Sequence, residues 1–435
     1  MNIRIIHWQP GRPCRPLDRL LRPAPFDPEA ESAARLILDA VRSQGDRAVA
    51  RFLRRYDGAR LTPDRFRVTD GELDAAVAAV EPAFLRSIQA VRRRVETFAR
   101  AGRRRNWQIP TPGGGWLGER FLPLRRVGVY IPGGAAPLAS TALMTVPLAR
   151  VAGVPEIVAC TPPRADGSVD PHVLCALRLA GATEVYRVGG VPAIGAMAYG
   201  TRVIRPVEKI VGPGGVYVAA AKRLVYGDVA LDMVAGPSEI AVLADDTAPP
   251  EVVAADLLSQ AEHGTGRERA LLVTPSSGLA QTVRAELQRQ APALGRAASI
   301  RRVLQNNAAL VVAPSLKAAL ELVNRFAPEH LEILTRHPET VARGVTSAGA
   351  VFVGRWTPES AGDFAAGPSH VLPTGGTARF FSGLTVEDFR RRMSMLKLAR
   401  ADLAHMRTDI ERFAQVEGLP GHARSAQIRF AEESR

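Results

Sequence analysis

The sequence predicts an α/β protein of two Rossmann-like parallel-sheet modules with helical N- and C-terminal extensions. Three observations carry this. Short apolar runs recur between Arg126 and Val353, each separated from the next by a helical pattern. Most of them are apolar throughout rather than at every second position, which marks strands buried on both faces. Strand–helix alternation of that kind builds right-handed βαβ units and therefore parallel sheets. A chain of 435 residues has the length of two or three domains, and 46% hydrophobic with 23% charged residues is an ordinary globular balance.

Taken in order, residues Phe26 to Tyr56 read as a helix. Asp27-Pro28-Glu29 supplies cap, first-turn proline and early acid, Ala33, Leu36, Ile37, Ala40 and Val41 follow at helical spacing, and Asp57-Gly58 closes it. A second helical pattern runs from Asp70 to Arg104 and leads into Pro110-Thr111-Pro112-Gly113-Gly114-Gly115, a turn or hairpin. The first module then has strands at Arg126–Ile131, Glu156–Cys160, Glu184–Val188 and Lys209–Val211. Helices lie between and after them at Ser140–Ala152, Pro171–Leu179, Pro192–Tyr199 and Val216–Tyr226. The second has strands at Glu239–Leu243, Ala270–Val273, Ala309–Val312, Leu331–Leu334 and Ala350–Val353. Val386 to Phe430 reads as mostly helical and without a core of its own. The expected division is 1–125, 126–235, 236–381 and 382–435, with the N-terminal region packing on the larger module.

Composition excludes several classes. The net charge of +14 is almost all arginine, since lysine occurs only at Lys209, Lys222, Lys317 and Lys397. The densest basic run, Arg92 to Arg105, is interrupted by Val95, Glu96 and Phe98 at helical spacing, as on a solvated helix face. With no zinc-finger or aromatic RNA-binding signature, nucleic acid is not an expected partner. No apolar run is long enough for a bilayer, and residues 1–13 have no signal-peptide pattern. Cys14, Cys160 and Cys175 form no CxxC pair, which favours a reducing cytoplasm.

Polar clusters gather just after the expected strands, where ligands collect in open α/β sheets. Tyr130-Ile131-Pro132-Gly133-Gly134-Ala135-Ala136-Pro137 and Val211-Gly212-Pro213-Gly214-Gly215 are glycine-rich loops that let phosphates approach the backbone and a helix N-terminus, although neither is GxGxxG. Ala235-Gly236-Pro237-Ser238-Glu239 opens the second module. Gln260 and His263 share one helix face and offer an amide oxygen and an imidazole to a divalent metal; a helix-end histidine is also a common cap. Glu329 and His330, adjacent at a strand entrance, read either as two acid/base groups or as a cap and a structural histidine. Asp363 and His422 would complete an N/O ligand set suited to zinc.

The chain resembles the histidinol dehydrogenase family from about Asp27 to its end. The matching segments are Val127 to Gly134, Lys209 to Gly214, Asp232 to Ile240, Ala255 to His263, Ala327 to Glu332 and Gly367 to Gly376. The resemblance implies zinc held by Gln260, His263, Asp363 and His422. It implies His330 as base on the substrate alcohol and Glu329 as activator of water, with Tyr130 contacting NAD. Ser238, Gln260, His263, His330, Asp363, Glu417 and His422 fall on substrate-contacting positions. The implied reaction is two hydride transfers from L-histidinol to two NAD+, through an aldehyde-level intermediate, to L-histidine. The family's intertwined homodimer would bring Glu417 and His422 to the partner's site.

Three positions depart from the family pattern: Pro192 where a glutamine touches NAD, Gly215 where an asparagine does, and Ser369 where an asparagine precedes His370. The first two suit a helix start but remove polar side chains from the cofactor, each worth roughly 0.5–1.5 kcal/mol. Two other readings stand beside the first: a zinc- and NAD-dependent enzyme oxidising another amino alcohol or polar diol, and a zinc hydrolase or metal-binding protein.

Overall fold

A computed structural model describes residues 3–22, 27–133, 137–234 and 236–434. It falls into two units, Met1–Gly102 with Leu124–Phe389 and Arg103–Pro123 with Arg390–Arg435. Among the described residues no helix is long and apolar enough to cross a membrane.

The larger unit begins with strand β1 (Arg4–His7), which the sequence reading missed in what it expected to be a helical region. The expected helix from Phe26 to Tyr56 is divided. Asp27 caps the helix Pro28–Gln44 by accepting from the backbone of Glu29 and Ala30, and Gly45 at φ +53° ends it. A second helix, Asp46–Phe52, and a π-turn, Leu53–Asp57, follow. Phe26 lies outside the described residues. The pattern from Asp70 to Arg104 is likewise two helices, Asp70–Ala79 and Pro82–Gly102. Proline has no N–H to continue the first and restricts the residue before it, so it opens the second.

Next come the hairpin β2 (Trp107–Pro110) and β3 (Trp116–Pro123), then β4 (Arg126–Tyr130), β5 (Glu156–Cys160), β6 (Glu184–Tyr186), β7 (Lys209–Val211) and β8 (Ala230–Leu231). The last five form a parallel sheet in the order β6-β5-β4-β7-β8. Side chains alternate between its faces. Val127, Val129, Ile157 and Ala159 pack with the helices Ala139–Ala152 and Pro171–Ala180, whereas Val158, Cys160 and Ile210 pack with Pro28–Gln44 and Gly190–Tyr199. Burial on both faces explains why these strands read as unbroken apolar runs.

Strands β9 (Glu239–Ala244), β10 (Arg269–Thr274), β11 (Ala308–Val312), β12 (His330–Leu334) and β13 (Ala350–Val353) make the second parallel sheet, ordered β1-β11-β10-β9-β12-β13. Setting β1 aside, its strand order relative to the chain is that of the first sheet: third, second, first, fourth, fifth. The packing crosses the expected boundary at 381/382, because Leu384, Val386 and Phe389 return to the core of the first sheet.

In the smaller unit a strand precedes the helices expected of the tail. Residues Arg390–Lys397 form strand β14, antiparallel to β3, which pairs in turn with β2. Asp402, at the start of the helix Arg400–Val416, accepts from the backbone of Gly113 at 2.6 Å, Gly115 at 3.0 Å and Ala399 at 2.9 Å, and from Thr111 Oγ1 at 2.8 Å. One buried carboxylate thus pins the Pro110–Gly115 turn to the helix. A Cβ on Gly113 or Gly115 would collide with it.

Candidate active site at the edges of two sheets

Glu239 and His330 are the first residues of neighbouring strands β9 and β12, and both are buried. The helix Pro250–Ala261 runs back from the far end of β9, so its last turn brings Gln260 to the same edge. His330 Nδ1 lies 3.2 Å from Glu239 O and 3.1 Å from Gln260 Oε1. Gln260 Nε2 lies 3.3 Å from His263 Nδ1. Asp363, in the short helix Glu359–Phe364, closes the ring. Its Oδ2 is 4.0 Å from His263 Nε2, and its Oδ1 is 3.4 Å from His330 Nε2, an ion-pair distance without hydrogen-bond alignment. Four of the expected residues, Gln260, His263, His330 and Asp363, therefore meet. They meet at the amino edge of the second sheet, where His330 enters its strand.

Glu329, also buried, accepts from Glu239 N at 3.0 Å and stands 3.8 Å from His330 Nδ1. Burial pushes its carboxyl up against the opposing pull of His330. For His330 burial works against the imidazolium, but the carboxylates of Glu329, Asp363 and Glu359 outweigh it and raise the group to about 10. Burial also raises Glu239, to about 7 despite Arg269 at 3.2 Å, whereas His330 holds Asp363 below the usual range against its own burial.

The donor set suits a divalent cation. His263, Glu359 and Asp363 offer ligand atoms within 4.8 Å of one another. His330 Nε2, Glu239 Oε2 and Glu359 Oε1 are buried without a hydrogen-bond partner. The carbonyl end of the helix Pro250–Ala261 adds a partial negative charge. Ser238 lies just before β9, where its carbonyl accepts from Arg269 N at 3.0 Å. Glu417 and His422 are exposed residues of the smaller unit; the ring is built by the larger unit alone.

A second cluster lies at the carboxyl edge of the first sheet, between β4 and β7, where the strand order reverses. Tyr130 ends β4, and its buried hydroxyl accepts from Gly190 N at 3.0 Å; burial raises the phenol to about 12. Gly212 follows β7 at φ +111°, and a Cβ there would sit 2.3 Å from Tyr130 O. Gly215 caps the helix Val216–Leu224. Gly134, Ala135, Ala136 and Ala235 of the expected loops lie outside the described residues.

Residues 21–430 match the family model described as histidinol dehydrogenase. A histidinol dehydrogenase of Heliobacterium mobile is 46% identical over 394 residues, covering 91% of this chain and 92% of its own. One from Symbiobacterium thermophilum is 44% identical over 425 residues, 98% and 96% of the two chains. The crystal structure of histidinol dehydrogenase from Elizabethkingia anophelis, 34% identical, superposes with a TM-score of 0.93 over 100% of this chain and 99% of that one. This chain belongs to the histidinol dehydrogenase family. It is an oxidoreductase.

Within this family member the structure adds site residues that sequence reasoning missed. Glu359 is buried; its carboxylate accepts from Ser259 Oγ, and its backbone N–H donates to Glu332 Oε1 at 2.6 Å. Burial and neighbouring Asp256 push Glu332 up to about 10. Two signals were available: Asp256 precedes Gln260 by one helical turn, and Glu332 shares a strand face with His330. His370 Nδ1 lies 2.9 Å from Asp363 O. Ser369, whose role the sequence left open, donates to Met144 O at 2.8 Å and accepts from Val371 N at 3.2 Å. It ties the loop behind Asp363 to a helix of the first sheet.

Proposed function

We propose that this protein oxidises L-histidinol to L-histidine by two successive hydride transfers to two NAD+, through histidinaldehyde, as a step of histidine biosynthesis. The observation that carries the reading is the closed ring of Gln260, His263, His330 and Asp363. Gln260, His263 and Asp363, with His422 of a second copy of the chain, would hold a zinc ion, which would supply a Lewis-acid anchor for the amine and imidazole of the substrate and offset the carboxylates that raise His330. NAD+ supplies the hydride acceptor at the carboxyl edge of the first sheet.

The remaining roles follow from the side chains. His330 Nδ1 faces two acceptors, Glu239 O and Gln260 Oε1, so it carries the ring proton. Nε2 is then the nitrogen that takes the alcohol proton. Glu329 has one oxygen bound by Glu239 N, and the other serves to hold the water that adds to the aldehyde. Ser238, Glu417 and His422 contact the substrate. Leu396, Phe413 and Val416, 69%, 67% and 81% exposed on the smaller unit, support its docking on a second copy as a homodimer. Three free cysteines agree with a cytoplasmic setting.

Zinc-loaded protein given L-histidinol and NAD+ should form two NADH per histidine. NADH from other amino alcohols or diols alone would replace the substrate in this reading. Failure to bind NAD+ at millimolar concentration would overturn it in favour of a hydrolase or metal-binding protein.

A further inference from the structure

Two charged side chains at the carboxyl edge of the first sheet have no role in the chemistry above. Lys222, in the helix Val216–Leu224, and Asp232, just past β8, form a direct ion pair with side chains 2% and 0% exposed. Taking two charges out of water is costly, and such a pair often adds no stability over apolar packing. Its hydrogen bonds give it another use. Lys222 Nζ donates to Gly212 O at 2.9 Å, and Asp232 Oδ2 accepts from Gly212 N at 2.8 Å. Both backbone groups of one residue are held by the two members of one ion pair.

That residue is the hinge of the cofactor loop. Gly212 lies against Tyr130 O so closely that no side chain fits. The four residues after it, Pro213 to Val216, carry the backbone into the N-terminus of the next helix. Asp232 also begins the link to the other site. Asp232 to Ser238 joins the carboxyl edge of the first sheet to the amino edge of the second, and Asp232 Oδ1 accepts from Met233 N at 2.6 Å at its start. Seven residues span at most roughly 25 Å, which sets the covalent reach between the two edges.

We propose that the Lys222–Asp232 ion pair is a positioning device for NAD: it aims the Gly212–Gly215 loop at the cofactor and registers that loop against the link that delivers Ser238 and Glu239 to the acid–base site. The inference rests on the reading that NAD binds at this edge. In this chain the pair carries an added share of the task, because Pro192 and Gly215 offer the cofactor no polar side chain. Backbone N–H groups then meet its phosphates, and their aim depends on Gly212.

The test uses zinc-loaded, full-length protein. Lys222→Met with Asp232→Leu replaces the pair by apolar groups and leaves Gly212 N–H and C=O unpartnered. Lys222→Met with Asp232→Asn removes both charges but keeps an acceptor for Gly212 N–H. Calorimetry should show the NAD+ dissociation constant of the first variant raised about tenfold or more, with partial recovery in the second. Zinc content should be unchanged, and KM for NAD+ should rise by a larger factor than kcat falls. A folded, zinc-replete Lys222→Met, Asp232→Leu variant that binds NAD+ within about twofold of the parent would overturn the inference and leave the function intact. A parent protein that binds no NAD+ would remove the functional reading and the inference together.

Discussion

The amino edges of the two sheets both open on ionisable residues and do opposite things with them. In the first sheet, Arg126, Glu156 and Glu184 are the first residues of β4, β5 and β6. Arg126 meets Glu156 and Glu184 at 2.6 Å each, Arg205 meets Glu156 at 2.6 Å, and Tyr186 donates to Glu184 at 2.7 Å. Acid is matched by guanidinium, and the edge is structural. In the second sheet, Glu239, Arg269 and His330 open β9, β10 and β12. There Glu329, Glu332, Glu359, Asp256 and Asp363 crowd the same edge as Glu239, leaving carboxylate and imidazole atoms without partners. A matched edge stabilises, whereas an unmatched one is poised for a cation and for proton transfer. The carboxyl edge of the first sheet shows the converse polarity, with glycines and helix N-termini that suit phosphate.

The largest effect should come from the unmatched edge. His330→Ala is expected to lower turnover by about 10² to 10⁴, with NAD+ affinity by calorimetry unchanged. Equal loss of both would show that the two edges are not separable.

The matched edge should answer in stability. Arg126→Met takes the buried guanidinium from Glu184 while Glu156 keeps Arg205, and should cost about 1.5–3 kcal/mol at neutral pH, read by urea unfolding. The sign with pH follows from Glu184. Its hydrogen bond to Arg126 lowers its carboxyl from 4.5 to about 2. The stabilisation is therefore complete above the unfolded value and lost as pH falls through the window between them. The gap between parent and variant should narrow across that window; a constant gap would assign the loss to packing alone.

The smallest effect belongs to the cofactor edge. A Cβ on Gly215 meets nothing within 4 Å, and its backbone is extended. Gly215→Asn should fold normally and lower KM for NAD+ by about two- to tenfold, one hydrogen bond's worth. Pro192 is buried in the first turn of Gly190–Tyr199, so Pro192→Gln should reduce the melting temperature as well. An unchanged KM in Gly215→Asn would contradict the account of a cofactor side thinned by these two residues.

Much of this was legible in the residues. Glu156–Cys160, Lys209–Val211 and Ala350–Val353 were read at their observed bounds because apolar runs of that length have few alternatives. Strands β1 and β14 escaped because Arg4-Ile5-Ile6-His7 is too short to show a period and Arg390 to Lys397 is largely exposed and basic. Gln260, His263, Glu329, His330 and Asp363 were nameable from their motifs. Glu359 was not, since a glutamate carries no local mark of being buried, and Asp256 and Glu332 were marked only by their spacing from Gln260 and His330.

By itself, then, the sequence determined two parallel-sheet modules, their helices and a set of metal-suited and acid–base side chains, because apolar periodicity and capping are local properties of a chain. Only the tertiary structure decided which edge of each sheet does chemistry. That depends on whether acids distant in sequence find basic partners once they are taken out of water, as Glu184 does with Arg126 and Glu332, beside Asp256, does not.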